Sequence, residues 1–343
     1  MIDKSIAAAA AATDKHVPFK RIFVTGASGY VGRNLIRYFV ERGIEVVALV
    51  RSEASEQVAR TLGAIPHRGD ILGGGLVALM QGCDALVHAA ADTDHGPATE
   101  RQQQVNEVGT RAVMEAARAA NIGKVVHLST ESVLATGKPL INVDETLSLP
   151  RKFAGGYSRS KAAAERIALD CNAPEFPVVV LRPRFVWGRD DTTALPALVD
   201  AVRSGKFAWI SGGNYMTSTT HIANLCVAVD RALANGRGGE VYFISDGEPV
   251  AFRTFVSALL ETQGLSVPEK SVPRGMVRTV AAIGDLLARL SGGKIVPPLT
   301  LQSYATSAVE ISLDISKARR ELDYGPVVSR KQGLEELRTD QHW

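Results

Sequence analysis

Cysteine is scarce. The 343-residue chain has three, Cys83, Cys171 and Cys226, far apart in sequence. That spacing excludes a disulfide framework and a cysteine-based metal site, and it suits a reducing, cytoplasmic setting. No metal is expected elsewhere, since His221 has no second ligand at a useful spacing. Long apolar runs are missing as well. No stretch of about 18 apolar residues occurs, so no membrane-spanning helix is expected. Neither sign of charge dominates: 39 Lys and Arg face 36 Asp and Glu, a formal net charge of +3. With no long basic run, a nucleic-acid partner is not expected. Residues 1–19 hold Ala7 to Ala12 and few large apolar side chains. They are too weakly hydrophobic for a secretory core and read as a disordered tail or transit-like leader. Residues 336–343 read as a second tail.

The rest is a globular composition, 45% hydrophobic and 22% charged, enough for one large α/β domain with a smaller companion. Arg21-Ile22-Phe23-Val24-Thr25 is a buried-strand pattern. Gly26-Ala27-Ser28-Gly29-Tyr30-Val31-Gly32 follows, then helical spacing over Asn34–Arg42 with a stop at Gly43. Strand, glycine turn and helix in that order aim backbone N–H groups and a helix N-terminus at a pyrophosphate. Gly26, Ser28, Gly29, Tyr30, Val31 and Gly32 are therefore candidate dinucleotide-binding residues. Glu45–Val50 reads as the second strand and ends in Arg51-Ser52. An acidic residue there would suit the ribose diol of NAD; Arg51 suits a 2′-phosphate, so NADP(H) is favoured over NAD(H). The alternative is a solvated Arg at a strand end. Asp70 and Ile71, after a third strand near Ala64-Ile65-Pro66, are placed around the adenine. Ala89, Ala90 and Ala91, at the small-residue end of a fourth strand, are placed against the cofactor.

Strand and helix patterns alternate to about residue 185, which predicts a doubly wound parallel sheet of the Rossmann type. Lys124–Thr130 is an apolar strand ending in hydroxyls, and Val178–Pro183 another ending in Pro. Ligands of such sheets bind beyond the C-terminal strand ends. Ser129, Pro183, Phe185 and Val186 join the cofactor candidates on that ground. We expect a NAD(P)-binding domain over 20–185. A smaller C-terminal substrate lobe is expected over 186–335, with strands returning to the sheet. Helices are expected at 252–264 and 276–290, with a terminal helical stretch near 314–322. The apolar helix 276–290 is read first as core; a membrane-facing or substrate-facing lid is the other reading, so peripheral membrane contact stays open.

Tyr157-Ser158-Arg159-Ser160-Lys161 places a phenol and an ammonium on one helix face. The cation favours the ionised phenol and is expected to lower its pKa from the usual value near ~10.

Together these segments resemble the extended short-chain dehydrogenases/reductases. The resemblance rests on Thr25 to Gly32, on Val105-Asn106-Glu107-Val108-Gly109-Thr110 and on Leu128-Ser129-Thr130-Glu131-Ser132-Val133. Tyr157 to Lys161 and Leu181-Arg182-Pro183-Arg184-Phe185-Val186-Trp187-Gly188 complete it, with Trp187 standing where the family has Tyr. Thr219–Leu225 and Tyr242–Val250 are similar to the 3β-hydroxysteroid dehydrogenase-like branch. The resemblance implies interconversion of a ketone and a secondary alcohol. Tyr157 would transfer the proton, Lys161 would bind the nicotinamide ribose, and Thr130 would hydrogen-bond the substrate oxygen in place of the usual Ser. A bulky hydrophobic small-molecule substrate, steroid-like or 2-alkyl-3-oxoalkanoate-like, is expected, and a homodimer. Asp92, Thr93, Glu131, Ser132, Arg184, Trp187 and Tyr215 are candidate substrate residues. Arg184 either binds a carboxylate or pairs within the fold; Trp187 and Tyr215 either line an apolar pocket or belong to the core. The rival on the same fold is a sugar-nucleotide epimerase or dehydratase with tightly bound NAD, though Thr130-Glu131-Ser132 lacks the second carboxylate of a dehydratase.

Overall fold

The computed structural model describes residues 19–339; the N-terminal tail, apart from Phe19, and residues 340–343 lie outside them. Its centre is a seven-stranded parallel sheet. In chain order the strands are β1 (Arg21–Thr25), β2 (Glu45–Val50), β3 (Ile65–Arg68), β4 (Ala85–His88), β5 (Lys124–Leu128), β6 (Val178–Pro183) and β7 (Val241–Ile244). In space they run β7-β6-β5-β4-β1-β2-β3. The order reverses between β1 and β4, which opens a crevice at the C-terminal ends of those two strands.

The strands are buried on both faces, so they read as continuous apolar runs. Alternation persists in what each side chain meets. Ile22 and Val24 of β1 enter one core cluster with Leu35, Ile36 and Phe39 of helix α1 (Tyr30–Val40). Phe23 enters the opposite cluster with Val113, Met114 and Ala117 of helix α2 (Gly109–Ala119). The switch point is pinned by a buried side-chain bond, 2.7 Å between Thr25 Oγ1 and His88 Nδ1.

The C-terminal half adds helices α4 (Ile222–Asn235), α5 (Phe252–Thr262), α6 (Arg274–Leu290), α7 (Leu301–Ser307) and α8 (Arg330–Thr339); helix α3 (Gly156–Asp170) precedes them. The final helix runs through 336–339, which sequence reading had given to a tail. A four-stranded sheet joins residues 250–251, 216–217, 311–313 and 140–143. Its last strand comes from before residue 185, so the C-terminal lobe is completed by the N-terminal half.

Four residues of this lobe converge on one carboxylate. Asp246 accepts from the His221 backbone N–H (2.6 Å), Asn224 Nδ2 (2.7 Å), Trp187 Nε1 (2.8 Å) and Thr219 Oγ1 (2.7 Å). The branch-specific segments Thr219–Leu225 and Tyr242–Val250 thus meet as a structural hub.

Helix α6 forms where expected, but the expected core packing is not what it does. Only Val277, Ala281 and Ala288 are buried. Ile283, Leu286 and Leu290 are 53%, 54% and 76% exposed. The apolar periodicity predicted a face correctly; the face that packs inward is a narrow one of small residues. Among the described residues no helix is long and apolar enough to cross a membrane.

Candidate active site

The glycine turn fits a dinucleotide for reasons visible in its backbone. Gly26 has φ +67°, and a Cβ there would lie 2.7 Å from the Ala90 nitrogen and 2.8 Å from the Ala89 carbonyl. A Cβ on Gly32 would lie 2.2 Å from the Gly26 carbonyl oxygen. Both positions require glycine if the β1 loop is to press against the end of β4 and α1 is to start beneath it. The N-cap Gly29 supplies no side chain to the first turn of α1, so its open N–H groups remain free for phosphate oxygens. Ser28 and Val31 are half-buried beside this turn. The ring of Tyr30 instead enters the core, leaving its backbone as the part near the loop. Arg51 is exposed at the end of β2. Ser52 caps the following helix, its Oγ accepting from the Ser55 N–H at 3.2 Å. Asp70 caps a turn by accepting from the Leu72 N–H at 2.9 Å, and Ile71 is buried. Ala89, Ala90 and Ala91 are half-buried.

The candidate proton-transfer residues are carried by α3. Tyr157 lies in its first turn and Lys161 one turn on. Lys161 Nζ donates to the Leu128 carbonyl of β5 at 2.7 Å, which brings the helix to the strand that leads into Ser129 and Thr130. Thr130 donates to Glu131 Oε2 at 2.9 Å and accepts from the Ser132 N–H at 3.2 Å. All three catalytic candidates are buried, at 8% exposure for Tyr157 and Thr130 and 3% for Lys161.

The electrostatics correct one expectation. The Tyr157 phenol is held above its ordinary range, first by burial and then by the Glu131 charge, with Thr130 opposing. The Lys161 ammonium is turned to a carbonyl, and desolvation outweighs the depression expected of it. Lys161 itself is pulled from 10.5 down to about 8 by burial, with Glu165 holding it up. Tyr157 is therefore held in its protonated form at neutral pH.

Glu165 was missed in the sequence. It lies one turn beyond Lys161, 2% exposed, accepting from Ser129 Oγ at 2.6 Å and from Arg182 Nε at 2.9 Å. The spacing Tyr157, Lys161, Glu165 repeats every four residues and was the available signal. Ser129 therefore spends its hydroxyl on α3. His95 is a second residue of the site that the sequence motifs did not single out. Its ring lies 4.7 Å from that of Tyr157, and burial lowers its pKa. Asn106, in the π-helical turn Gln104–Val108, holds the Asp92 backbone at 2.7 and 3.0 Å and reaches Ser160 Oγ at 3.0 Å. That tether fixes the loop carrying Asp92 and His95; Thr93 is exposed on it.

Several substrate candidates are committed elsewhere. Arg184 donates to Glu131 Oε1 at 2.8 Å and to the Thr306 carbonyl at 2.6 Å, so it pairs within the fold. Ser132 Oγ also donates to Glu131, at 3.2 Å. Trp187 is fully buried and packs edge-on against His221 and Phe255; it is core, as one of its two readings held. Tyr215 is 6% exposed, stacks on Phe252 and donates to the Ser307 carbonyl. Pro183 is buried at the end of β6, while Phe185 and Val186 are half-buried just beyond. Phe185 has φ +41°, a strained turn for a bulky residue.

Residues 23–274 match the model of the 3-beta hydroxysteroid dehydrogenase/isomerase family. The chain belongs to that family. It is 46% identical over 325 residues to the 4-hydroxy-2-methyl-3-oxo-4-farnesyl-3,4-dihydroquinoline-1-oxide ketoreductase of Stigmatella aurantiaca, covering 93% of this chain and 96% of that one. It is 33% identical to the 2-alkyl-3-oxoalkanoate reductase of Stenotrophomonas maltophilia, covering 93% and 98%. Among solved structures it is similar in fold to UDP-glucuronic acid 4-epimerase of Bacillus cereus, with a TM-score of 0.72, 23% identity and coverage of 93% and 98%. A 3-beta hydroxysteroid dehydrogenase/isomerase family member with this fold is an oxidoreductase of the extended short-chain dehydrogenase/reductase type.

Proposed function

We propose that the protein is an NADP(H)-preferring reductase of a bulky, apolar and uncharged ketone. A bound nicotinamide dinucleotide would supply the hydride. Gly26, Gly29 and Gly32 would receive its phosphates, and Arg51 the 2′-phosphate. Tyr157 would give its proton to the oxygen as negative charge develops there, and Thr130, on turning its hydroxyl away from Glu131, would hydrogen-bond the same oxygen. The observation that carries the direction is the phenol itself: burial and Glu131 keep it protonated, which suits donation to an alkoxide rather than removal of an alcohol proton. Arg51 supports the cofactor preference, being exposed and without a hydrogen bond or ion pair among the described residues.

The substrate class follows from Arg184 and from the relatives. The cation that could have met a substrate carboxylate is held by Glu131 and Thr306. The two relatives are named for a farnesylated oxo-dihydroquinoline and for 2-alkyl-3-oxoalkanoates; the buried pair favours the neutral of these two kinds. The test is NADPH and NADH consumption across prenylated heterocyclic ketones, steroid ketones and long-chain β-keto acids. Faster turnover of the keto acids would overturn the substrate reading. In Arg51→Asp the NADPH/NADH preference should fall by about tenfold or more; an unchanged preference would overturn the cofactor reading. An epimerase on this fold would instead convert substrate with no net consumption of either dinucleotide.

A further inference from the structure

Most polar side chains around the Tyr157 phenol are already engaged. Thr130 and Ser132 give their hydroxyl protons to Glu131, and Arg184 pairs with the same carboxylate. Ser129 donates to Glu165, and Lys161 to the Leu128 carbonyl. His95 differs. Its ring packs on the phenol ring, with centroids 4.7 Å apart and planes at 45°. Neither ring nitrogen has a hydrogen-bond partner among the described residues. Nor are they orphaned atoms sealed in the core, as both nitrogens of His127 are. They therefore reach accessible space beside the phenol.

The loop that carries this ring is anchored on both sides of it. The His95 carbonyl accepts from Thr300 Oγ1 at 2.7 Å, and the Asp94 carbonyl from Gln102 Nε2 at 2.8 Å. The Gly96 N–H donates to Asp94 Oδ1 at 2.9 Å. A Cβ on Gly156 would lie 2.5 Å from Ala98 Cβ, so a missing side chain lets the loop seat on α3 beside Tyr157. A side chain whose backbone is fixed, and whose polar atoms are free, is preorganised for a ligand. Burial lowers the imidazole pKa, while Glu131 and Asp94 raise it and Arg184 opposes them. The ring is thus neutral at pH 7 and offers one donor and one acceptor.

We infer that His95 recognises the substrate directly, by hydrogen-bonding a hydroxyl on the carbon next to the reacting carbonyl. The two rings are in contact, so one ligand meets both only through groups a few bonds apart. A neutral imidazole suits a hydroxyl, which can donate as well as accept. A carboxylate in that place would meet the field of Glu131, which reaches the imidazole. With the ketone reading above as its ground, this makes the preferred substrate an α-hydroxy ketone. Thr130 must leave Glu131 to meet such a substrate, whereas His95 has no partner to give up.

The experiment compares 1-tetralone with 2-hydroxy-1-tetralone. Reduction of each by NADPH or NADH is followed, and binding of each to the dinucleotide-loaded protein is read by fluorescence quenching. The wild type should favour the hydroxy ketone by about tenfold in kcat/KM and in affinity. His95→Phe keeps a ring against the phenol but should bring that ratio close to one. His95→Gln restores a donor and an acceptor and should recover most of the ratio. A wild type without the preference, or a preference that survives in His95→Phe, overturns the inference and leaves the reductase reading in place if both ketones turn over. A binding preference that depends on His95, with neither ketone reduced, overturns the reductase reading alone. A protein that neither binds nor reduces either ketone overturns both.

Discussion

The carboxyl ends of the central strands and the C-terminal lobe place their key groups by different means. At the strand ends, short-range rules suffice. Gly26 and Gly32 are required by backbone approaches of 2.7 and 2.2 Å, and Tyr157, Lys161 and Glu165 are aligned by helical spacing alone. In the lobe, Trp187, Thr219, His221 and Asn224 are gathered by one carboxylate that follows β7 in the sequence. The candidate site lies where the local rules act, and the lobe is held by side-chain bonds between distant segments. Motif recognition therefore finds the first region more readily than it explains the second.

The comparison can be broken at either end. Tyr157→Phe should lower turnover by about 10²–10⁴, with dinucleotide affinity unchanged in a fluorescence titration. A variant that kept its turnover would remove the site from this helix. Asp246→Ala should cost about 2–4 kcal/mol in urea denaturation, because several donors lose one acceptor together. A loss below about 1 kcal/mol would mean that the lobe does not depend on its hub.

Glu165→Gln tests how far the helical row acts as a unit. Lys161 loses its proton as pH rises through about 8, so activity that needs the cation is present below that pH and declines above it. Removing the Glu165 charge lowers the Lys161 pKa further, and the alkaline limb of the rate profile should move down by about one pH unit. A limb that stays in place would show that Glu165 serves only Ser129 and Arg182. The smallest effect belongs to the outer face of α6: Ile283→Gln should change stability by no more than about 0.5 kcal/mol, whereas burial in a core would have made the same change costly.

Much of the sheet was legible because its strands are short apolar runs ended by glycine, arginine or proline. The bounds of β1, β2 and β6 follow those runs. The glycine turn was legible for the same reason, and so was Tyr157 with its neighbour. What stayed hidden depended on partners distant in sequence. Arg184 is claimed by Glu131, 53 positions away, and no spacing rule announces that pair. Strand 140–143 was not read because it pairs with residues 311–313. The phenol's raised pKa comes from burial, which a spacing argument leaves out. Helix α6 was read correctly as apolar and helical, but periodicity reports only that a face exists, not what it meets.

The Glu165 carboxylate ties three elements at once: the end of β5 through Ser129, β6 through Arg182, and α3 from which it projects. A brace of that kind resists opening as well as sliding. Amide hydrogens of residues 125–130 and 158–165 should therefore be among the last to exchange with deuterated solvent, and those of α6 among the first. The interval between the two would mark how rigidly Tyr157 is mounted beside a far softer rim.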